Sequence, residues 1–251
     1  MRFLFTPYIL PLALSTIITV GLSIHLWLRR TVIGVLPFVV LLLAVSEWTA
    51  SYCLELLGAD LPTKQFWAQI EYFGIVTLPL AWLYFSLEFS GRQRKRTIQP
   101  WLQGLLLIVP VFILIMVWTP SLKYLIWIEQ LLVVNGPYLT LETTYGAGFW
   151  FFVVYTYVIF LFGSYLLLRT VLFSQTSQSR NQISAILLAV LAPWVGNILY
   201  LFHWSPFAGV DLSPFGFSLS CLALTWGIFN QKLMDLLPIA NATIVEHLHT
   251  A

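Results

Sequence analysis

The chain has 251 residues, of which 59% are hydrophobic and only 9% are charged, and its mean hydropathy is +0.87. A water-soluble domain of this length carries about a quarter charged residues, so this composition excludes an ordinary soluble protein and indicates lipid as the main solvent. The net charge of +2 is too small to indicate nucleic-acid binding. Membrane lipid is therefore the first expected partner, and we expect no nucleic-acid partner.

Seven apolar stretches are long enough to cross a bilayer, which takes about 20 mostly apolar residues in a helix. They cover roughly residues 3–28, 34–57, 63–88, 98–119, 146–171, 182–203 and 212–231. The predicted fold class is therefore an all-α membrane protein, a bundle of seven transmembrane helices. Residues 1–232 form the predicted membrane domain.

Basic residues define the predicted orientation, because cytoplasmic loops carry an excess of Lys and Arg. An N-terminus outside and a C-terminus in the cytoplasm leaves only Arg2, Lys64 and Lys123 outside. The other nine basic residues are then cytoplasmic: Arg29, Arg30, Arg92, Arg94, Lys95, Arg96, Arg169, Arg180 and Lys232. The expected location is a multi-pass protein of the cytoplasmic membrane.

Two segments outside the spans have their own predicted structure. Asn135-Gly136 lies between runs rich in Val, Leu, Tyr and Thr, a pattern that indicates a tight β-hairpin. We expect this hairpin outside the membrane between spans four and five, with Leu125, Ile126 and Trp127 at the lipid interface. Residues 233–251 follow span seven with an apolar stripe at helical spacing, which predicts a cytoplasmic connector helix.

Acidic residues within spans are costly and are the first candidates for function. Spans two and three are joined by a short connection, so residues at equal depth have roughly constant index sums. This rule places Glu55 level with Lys64 as an ion pair at the outer rim. It places Glu47 level with Glu71, about 13–15 Å below the outer interface. We expect at least one of these two glutamates to carry a proton at neutral pH, or the ligand to be a cation. Alternatively, each glutamate bonds separately and only holds helices together.

A pocket in the outer half of the bundle is the predicted binding site. Polar groups that converge on an aromatic-rich cavity are the usual form of a small-molecule site. The candidate ligand-binding residues are Glu47, Glu55, Gln69, Glu71, Tyr72, Tyr155, Asn197 and Asp211. We predict no catalytic residue, no metal site and no cofactor, because no motif for such chemistry occurs in the sequence.

Several motifs resemble the N-terminal seven-span sensor region of bacterial and archaeal histidine kinases. The third span matches it at Trp67, Glu71, Tyr72, Gly74, Pro79, Trp82, Phe85 and Gly91. Further matches are Thr119 and Trp127 after span four, Tyr145, Gly146, Trp150 and Tyr155 at span five, DLSPFGFSLS from Asp211, and LMDLLPIA from Leu233. They occur in order along almost the whole chain.

This resemblance implies a sensory input module that is not itself an enzyme. It implies a cytoplasmic output domain in cis, usually a PAS domain followed by a histidine kinase or a diguanylate cyclase. Kinase-type outputs usually work as dimers, so a homodimer is one expectation. The main hypothesis is a receptor in which an unidentified small molecule shifts the helix packing. The alternatives are a small-solute or proton-coupled transporter that uses Glu47 and Glu71, and a membrane anchor that senses nothing.

Overall fold

The computed structural model describes residues 3–6, 9–31, 34–90, 99–135, 138–172, 179–202, 204 and 210–230. These residues form seven long helices: α1 Ile9–Trp27, α2 Val35–Leu57, α3 Leu61–Ser90, α4 Pro100–Trp118, α5 Ala147–Leu172, α6 Ser179–Leu201 and α7 Ser213–Asn230. Between α4 and α5 lie a 3-10 turn, Lys123–Leu125, and two strands, β1 Trp127–Asn135 and β2 Tyr138–Tyr145. The predicted connector at 233–251 lies outside the described residues.

Five of the helices in the described ranges, α1 to α5, are long and apolar enough to cross a membrane. The apolar part of α6 is shorter, Leu187–Tyr200. Helix α7 has 18 residues and includes Ser213, Ser218 and Ser220, which lower its hydropathy. The helical prediction is thus confirmed for all seven stretches, whereas membrane crossing by α6 and α7 and the orientation of the bundle stay predictions.

Helices α2 and α3 form an antiparallel pair whose backbones approach closely at Gly74. A Cβ atom at Gly74 would lie 2.4 Å from Glu47 Oε2 and 2.5 Å from the Ala44 carbonyl oxygen. The Gly74 N–H also donates to Glu47 Oε2 at 2.6 Å. Only glycine fits here, and the Glu47 carboxyl group on α2 joins the two helices by accepting this bond from α3.

The two ends of this pair are also fixed by specific bonds. At one end Gly34, with φ of 85°, donates its N–H to Glu88 Oε2 at 2.8 Å. At the other end only residues 58–60 connect the helices, and Asp60 Oδ1 accepts the Thr63 N–H at 2.9 Å as a cap for α3. The Leu4 N–H donates to the Leu57 carbonyl at 2.7 Å, which ties the N-terminal segment to the same connection.

Hydroxyl groups join α1 to α2 and α7 inside the apolar bundle. The pairs are Thr16 with Thr49 at 2.9 Å, Ser46 with Thr19 at 2.8 Å, and Ser15 with Ser218. Interhelical bonds of this kind are typical of membrane proteins and contribute about 0.6 kcal/mol each on average. They hold α7 in register with the first two helices.

The predicted hairpin is confirmed, with Asn135 opposite Tyr138 in an antiparallel pair. The expectation that Ile126 and Trp127 lie at the lipid interface was wrong. Ile126 is 0% exposed, and Trp127 packs edge to face on Tyr72 with ring centroids 5.2 Å apart. The reason is that the hairpin packs onto the bundle, so these side chains fill the space beside α3 and α4. We call this end of the bundle the hairpin end.

The contact at Gly74 gives a stability test. Gly74→Ala is expected to lower the thermal unfolding temperature of the detergent-solubilised protein, because overpacking a tight contact costs typically about 1–3 kcal/mol. The matched control is Gly104→Ala, since a Cβ at Gly104 in α4 meets no atom within 4 Å. The control should leave the unfolding temperature unchanged or raise it, because alanine favours helix more than glycine does. Equal effects of the two substitutions would contradict the proposed close contact.

Candidate ligand-binding cavity

A cavity of about 180 Å³ lies at the hairpin end of the bundle. Its walls come from α2, α3, α5, α6, α7 and both hairpin strands. A dry cavity of roughly 150 Å³ is known to hold benzene, so this space suits a small organic molecule. Three carboxyl groups line it, those of Glu55, Glu71 and Asp211, and most of the other lining side chains are aromatic.

Glu55 on α2 and Glu71 on α3 meet at the cavity wall. Both are buried, and their carboxyl groups lie within hydrogen-bonding reach of each other. Two ionised carboxylates can only accept hydrogen bonds, so this contact is favourable when one of the two carries a proton. Oε1 of Glu71 has no hydrogen-bond donor among the described residues. Glu71, which lines the cavity, therefore has spare hydrogen-bond acceptor capacity.

Lys64 lies beside this pair and is a cation close to it in the described part of the chain. Its Nζ lies 3.9 Å from Glu55 Oε1, so the structure contains the predicted ion pair. Its ammonium also donates to the Glu55 and Leu56 carbonyl oxygens at 2.7 and 3.4 Å, at the end of α2. The pair lies in the terminal turns of α2 and α3, beside the short connection, and Lys64 is 0% exposed because it is packed between the two helices. Its expected position at the outer rim stays a prediction. The positive charge of Lys64 therefore interacts with the carbonyl groups of the last turn of α2 as well as with the Glu55 carboxyl group.

A chain of hydrogen bonds holds the start of α7, and we call its members the α7-start network: Tyr52, Tyr157, Asn197, Asp211 and Ser213. Asp211 Oδ1 accepts the Ser213 N–H at 2.7 Å, and the Asp211 N–H donates to Tyr52 Oη at 2.6 Å. Asn197 donates to Ser213 Oγ at 3.3 Å and accepts a bond from the Tyr157 hydroxyl. Four elements, α2, α5, α6 and α7, thus meet at one helix start. Four members of the network line the cavity, all except Ser213.

Asp211 precedes α7 and lies outside the helices. Burial raises the pKa of its carboxyl from the ordinary 3.8 to about 6, although the hydrogen bonds from Ser213 act in the opposite direction. This carboxyl can therefore change charge in the mildly acidic range.

Aromatic rings form the rest of the wall. The hydroxyl groups of Tyr145 on β2 and Tyr200 on α6 lie 2.8 Å apart, which joins the hairpin to the bundle. The Tyr157 and Trp194 rings meet edge to face, with centroids 4.7 Å apart. The rings thus combine apolar surface with a few fixed hydroxyl groups, as in many small-molecule sites.

Five of the eight residues predicted from sequence line the cavity: Glu55, Glu71, Tyr72, Asn197 and Asp211. The other three are not among the lining residues. Glu47 is held by the Gly74 N–H and by the Ser51 hydroxyl at 2.9 Å, which is the separate-bonding alternative for this glutamate. Tyr155 donates to the Leu106 carbonyl at 2.6 Å, and Gln69 is buried elsewhere on α3.

The sequence reasoning missed Tyr52, Tyr145, Tyr157 and Tyr200. Tyr52 had a usable signal, because Trp48, Tyr52 and Glu55 follow the helical spacing i, i+4, i+7 and so share one face of α2. Tyr157 had none, since it differs from Tyr155 only by its position around a helix that is apolar on every side.

The fold and the cavity together define a helical membrane protein with a small-molecule pocket at one end. A family model described as the N-terminal 7TM region of histidine kinase matches residues 11–238. The chain belongs to this family, as its motifs indicated, and is a multi-pass membrane protein. No curated protein matches it. The family describes the non-catalytic input region of histidine kinases.

The Lys64 contacts predict a double-mutant result. Lys64→Met should lower the thermal stability strongly, because removing one partner of a buried pair costs about 3–5 kcal/mol. Lys64→Met combined with Glu55→Gln should lower it less than the single change, since the Glu55 carboxylate that Lys64→Met leaves without its cation has been replaced by a neutral amide. Lys123→Met is the matched control, because it removes the same charge from a partly exposed position. Additive effects of Lys64→Met and Glu55→Gln would contradict the pairing.

Asp211 predicts a pH effect with a definite sign. Between its ordinary pKa of 3.8 and about 6, the folded protein keeps a proton that the unfolded chain has lost. The contribution of Asp211 to stability therefore falls as the pH rises through this window and is constant above it. We expect the difference in unfolding temperature between wild type and Asp211→Asn to change between about pH 4 and about pH 7 in this direction. A constant difference would contradict the assignment, and Glu142→Gln, which removes an exposed carboxyl on β2, is the control.

Proposed function

We propose that this chain is the sensory input module of a signalling protein and binds a small molecule in the cavity at the hairpin end. In this proposal the hairpin end faces outward, and α7 leads to a cytoplasmic output domain in cis, of the histidine kinase type. The observation that carries the proposal is that the residues lining the cavity also hold the start of α7.

The α7-start network supplies a route from ligand to helix position. A ligand that binds Asp211, or competes for the hydroxyl of Tyr52 or Tyr157, changes how α7 is held against α2, α5 and α6. A ligand shifts such an equilibrium only by its differential affinity for the two arrangements. Asp211 and Ser213, at the start of α7, bond to Tyr52 on α2 and Asn197 on α6, and both of these partners line the cavity. An occupied cavity and an empty one therefore favour different positions of this helix.

The transporter alternative receives less support from the contacts. It requires Glu47 and Glu71 to work as a relay, but Glu47 is bound to Gly74 and Ser51 and is not a lining residue of the cavity. Glu71 instead faces Glu55, across the α2–α3 pair. These contacts favour a binding site over a path through the bundle.

A pair of tyrosine substitutions tests the proposal against a passive membrane anchor. Tyr157→Phe removes one hydroxyl from the α7-start network, and a hydrogen bond contributes about 0.5–1.5 kcal/mol, so the two-state ratio should change roughly 2- to 13-fold. The measurement is ATP-dependent autophosphorylation of the full-length protein in membrane vesicles. Tyr155→Phe is the matched control, because it removes a hydroxyl from the same helix that bonds to Leu106 instead.

The expected result is a changed basal output for Tyr157→Phe and an unchanged one for Tyr155→Phe. Tyr52→Phe should act like Tyr157→Phe, because its hydroxyl accepts the Asp211 N–H. If all three variants match wild type, the membrane domain only localises its output and the sensor proposal is wrong.

A further inference from the structure

We propose that the cavity binds a small organic ammonium ion, with its N–H group on the carboxyl of Glu71 and its apolar part against the aromatic wall. This inference rests on the proposed function and names the chemical class of the ligand. The juxtaposition that carries it is an acidic, aromatic cavity lined by Glu71, a buried residue whose Oε1 receives no hydrogen bond from any described residue.

The first step is the charge of the cavity wall. Glu55, Glu71 and Asp211 line the cavity, and among the described residues no Lys or Arg does so. Lys64 is close, but it lies behind Glu55 with its N–H groups directed to two backbone carbonyls. One shared proton between Glu55 and Glu71 and the charge of Lys64 still leave Asp211 without a cation among the residues that the structure describes. A cationic ligand completes this balance, whereas an anion meets like charge.

The second step is the free acceptor on Glu71. This residue is 8% exposed, and its Oε1 has no donor in the described part of the protein. A buried carboxylate oxygen without a donor is costly, and hydrogen bonds to charged groups are stronger than neutral ones. A protonated amine supplies both a positive charge and an N–H donor. A quaternary ammonium supplies the charge alone.

The third step is the aromatic wall, which includes Trp48, Tyr72, Trp127 and Trp194. Cations are attracted to the faces of such rings, and tryptophan is the best of them. The rings also remove apolar ligand surface from water. The cavity volume of about 180 Å³ limits the ligand to the size of one ring with a short head group.

A series of four probes with the same ring tests the charge and the donor separately. Benzylammonium, benzyltrimethylammonium, benzyl alcohol and benzoate are titrated into the detergent-solubilised chain by calorimetry at neutral pH. We expect benzylammonium to bind roughly tenfold or more tighter than benzyl alcohol, because it adds a charge-assisted hydrogen bond. Benzyltrimethylammonium should be weaker than benzylammonium, and benzoate should not bind.

Substitutions locate the binding. Glu71→Gln should weaken benzylammonium binding by roughly tenfold or more and should leave benzyl alcohol unaffected. Glu142→Gln is the matched control, because Glu142 is an exposed carboxyl on β2 at the same end and does not line the cavity. The unfolding temperature of Glu71→Gln is measured first, to show that the variant is folded. The four-probe comparison on wild type tests the proposal even if this variant does not fold.

Each outcome decides one proposal. Equal binding of benzylammonium and benzyl alcohol, binding of benzoate, or no binding by any probe overturns the ammonium assignment. Equal binding of the trimethylated probe overturns the N–H contact with Glu71. Benzylammonium that binds but leaves autophosphorylation unchanged contradicts the sensor proposal and not the ligand class. If Tyr157→Phe changes the output but no amine binds, the ligand class is wrong and the sensor proposal stands.

Discussion

The close approach of α2 and α3 at Gly74 is the constraint on which the site depends. Helices in a bilayer gain little from burying apolar surface against each other, so small residues and polar contacts determine where they meet. Here the backbone of α3 rests on Ala44 and Glu47, and any side chain at Gly74 would separate the pair. Because the contact fixes their spacing, Glu55, Lys64 and Glu71 lie together one or more turns further along. A wider spacing between α2 and α3 would separate these three ionisable side chains from one another.

Much of this arrangement could be predicted from the sequence, and the part that could not has one physical reason. A short connection and the constant rise of a helix were enough to bring Glu55 beside Lys64, and Asn135-Gly136 was enough to place the hairpin. The rotation of each helix about its axis was not predictable, because spans that are apolar on every side carry no pattern that marks the inner face. For this reason Tyr155 was predicted as a ligand-binding residue, whereas the tyrosine that lines the cavity is Tyr157. The same uncertainty paired Glu71 with Glu47 when its neighbour is Glu55.

The polar residues of the bundle divide into two groups by their partners. Glu47, Glu88 and the hydroxyl pairs of α1 are bonded to neighbouring helices and hold the bundle together. The acids at the hairpin end and the α7-start network surround a space instead, and Glu71 keeps an oxygen to which no described residue donates. A polar side chain inside a membrane protein is therefore not by itself a sign of function; its unmet bonding capacity is the more informative property.

The connection between α2 and α3 has a consequence for how this family can vary. Surface loops normally tolerate insertions, because their ends are held only loosely. The connection here is only residues 58–60, and three sets of bonds fix it. The Lys64 ammonium bonds the last carbonyl groups of α2, Asp60 caps α3, and the Leu4 N–H bonds the Leu57 carbonyl group. One added residue would rotate α3 out of step with α2 and withdraw the lysine from its acceptors. Natural variants should therefore conserve the length of this connection more strictly than its composition.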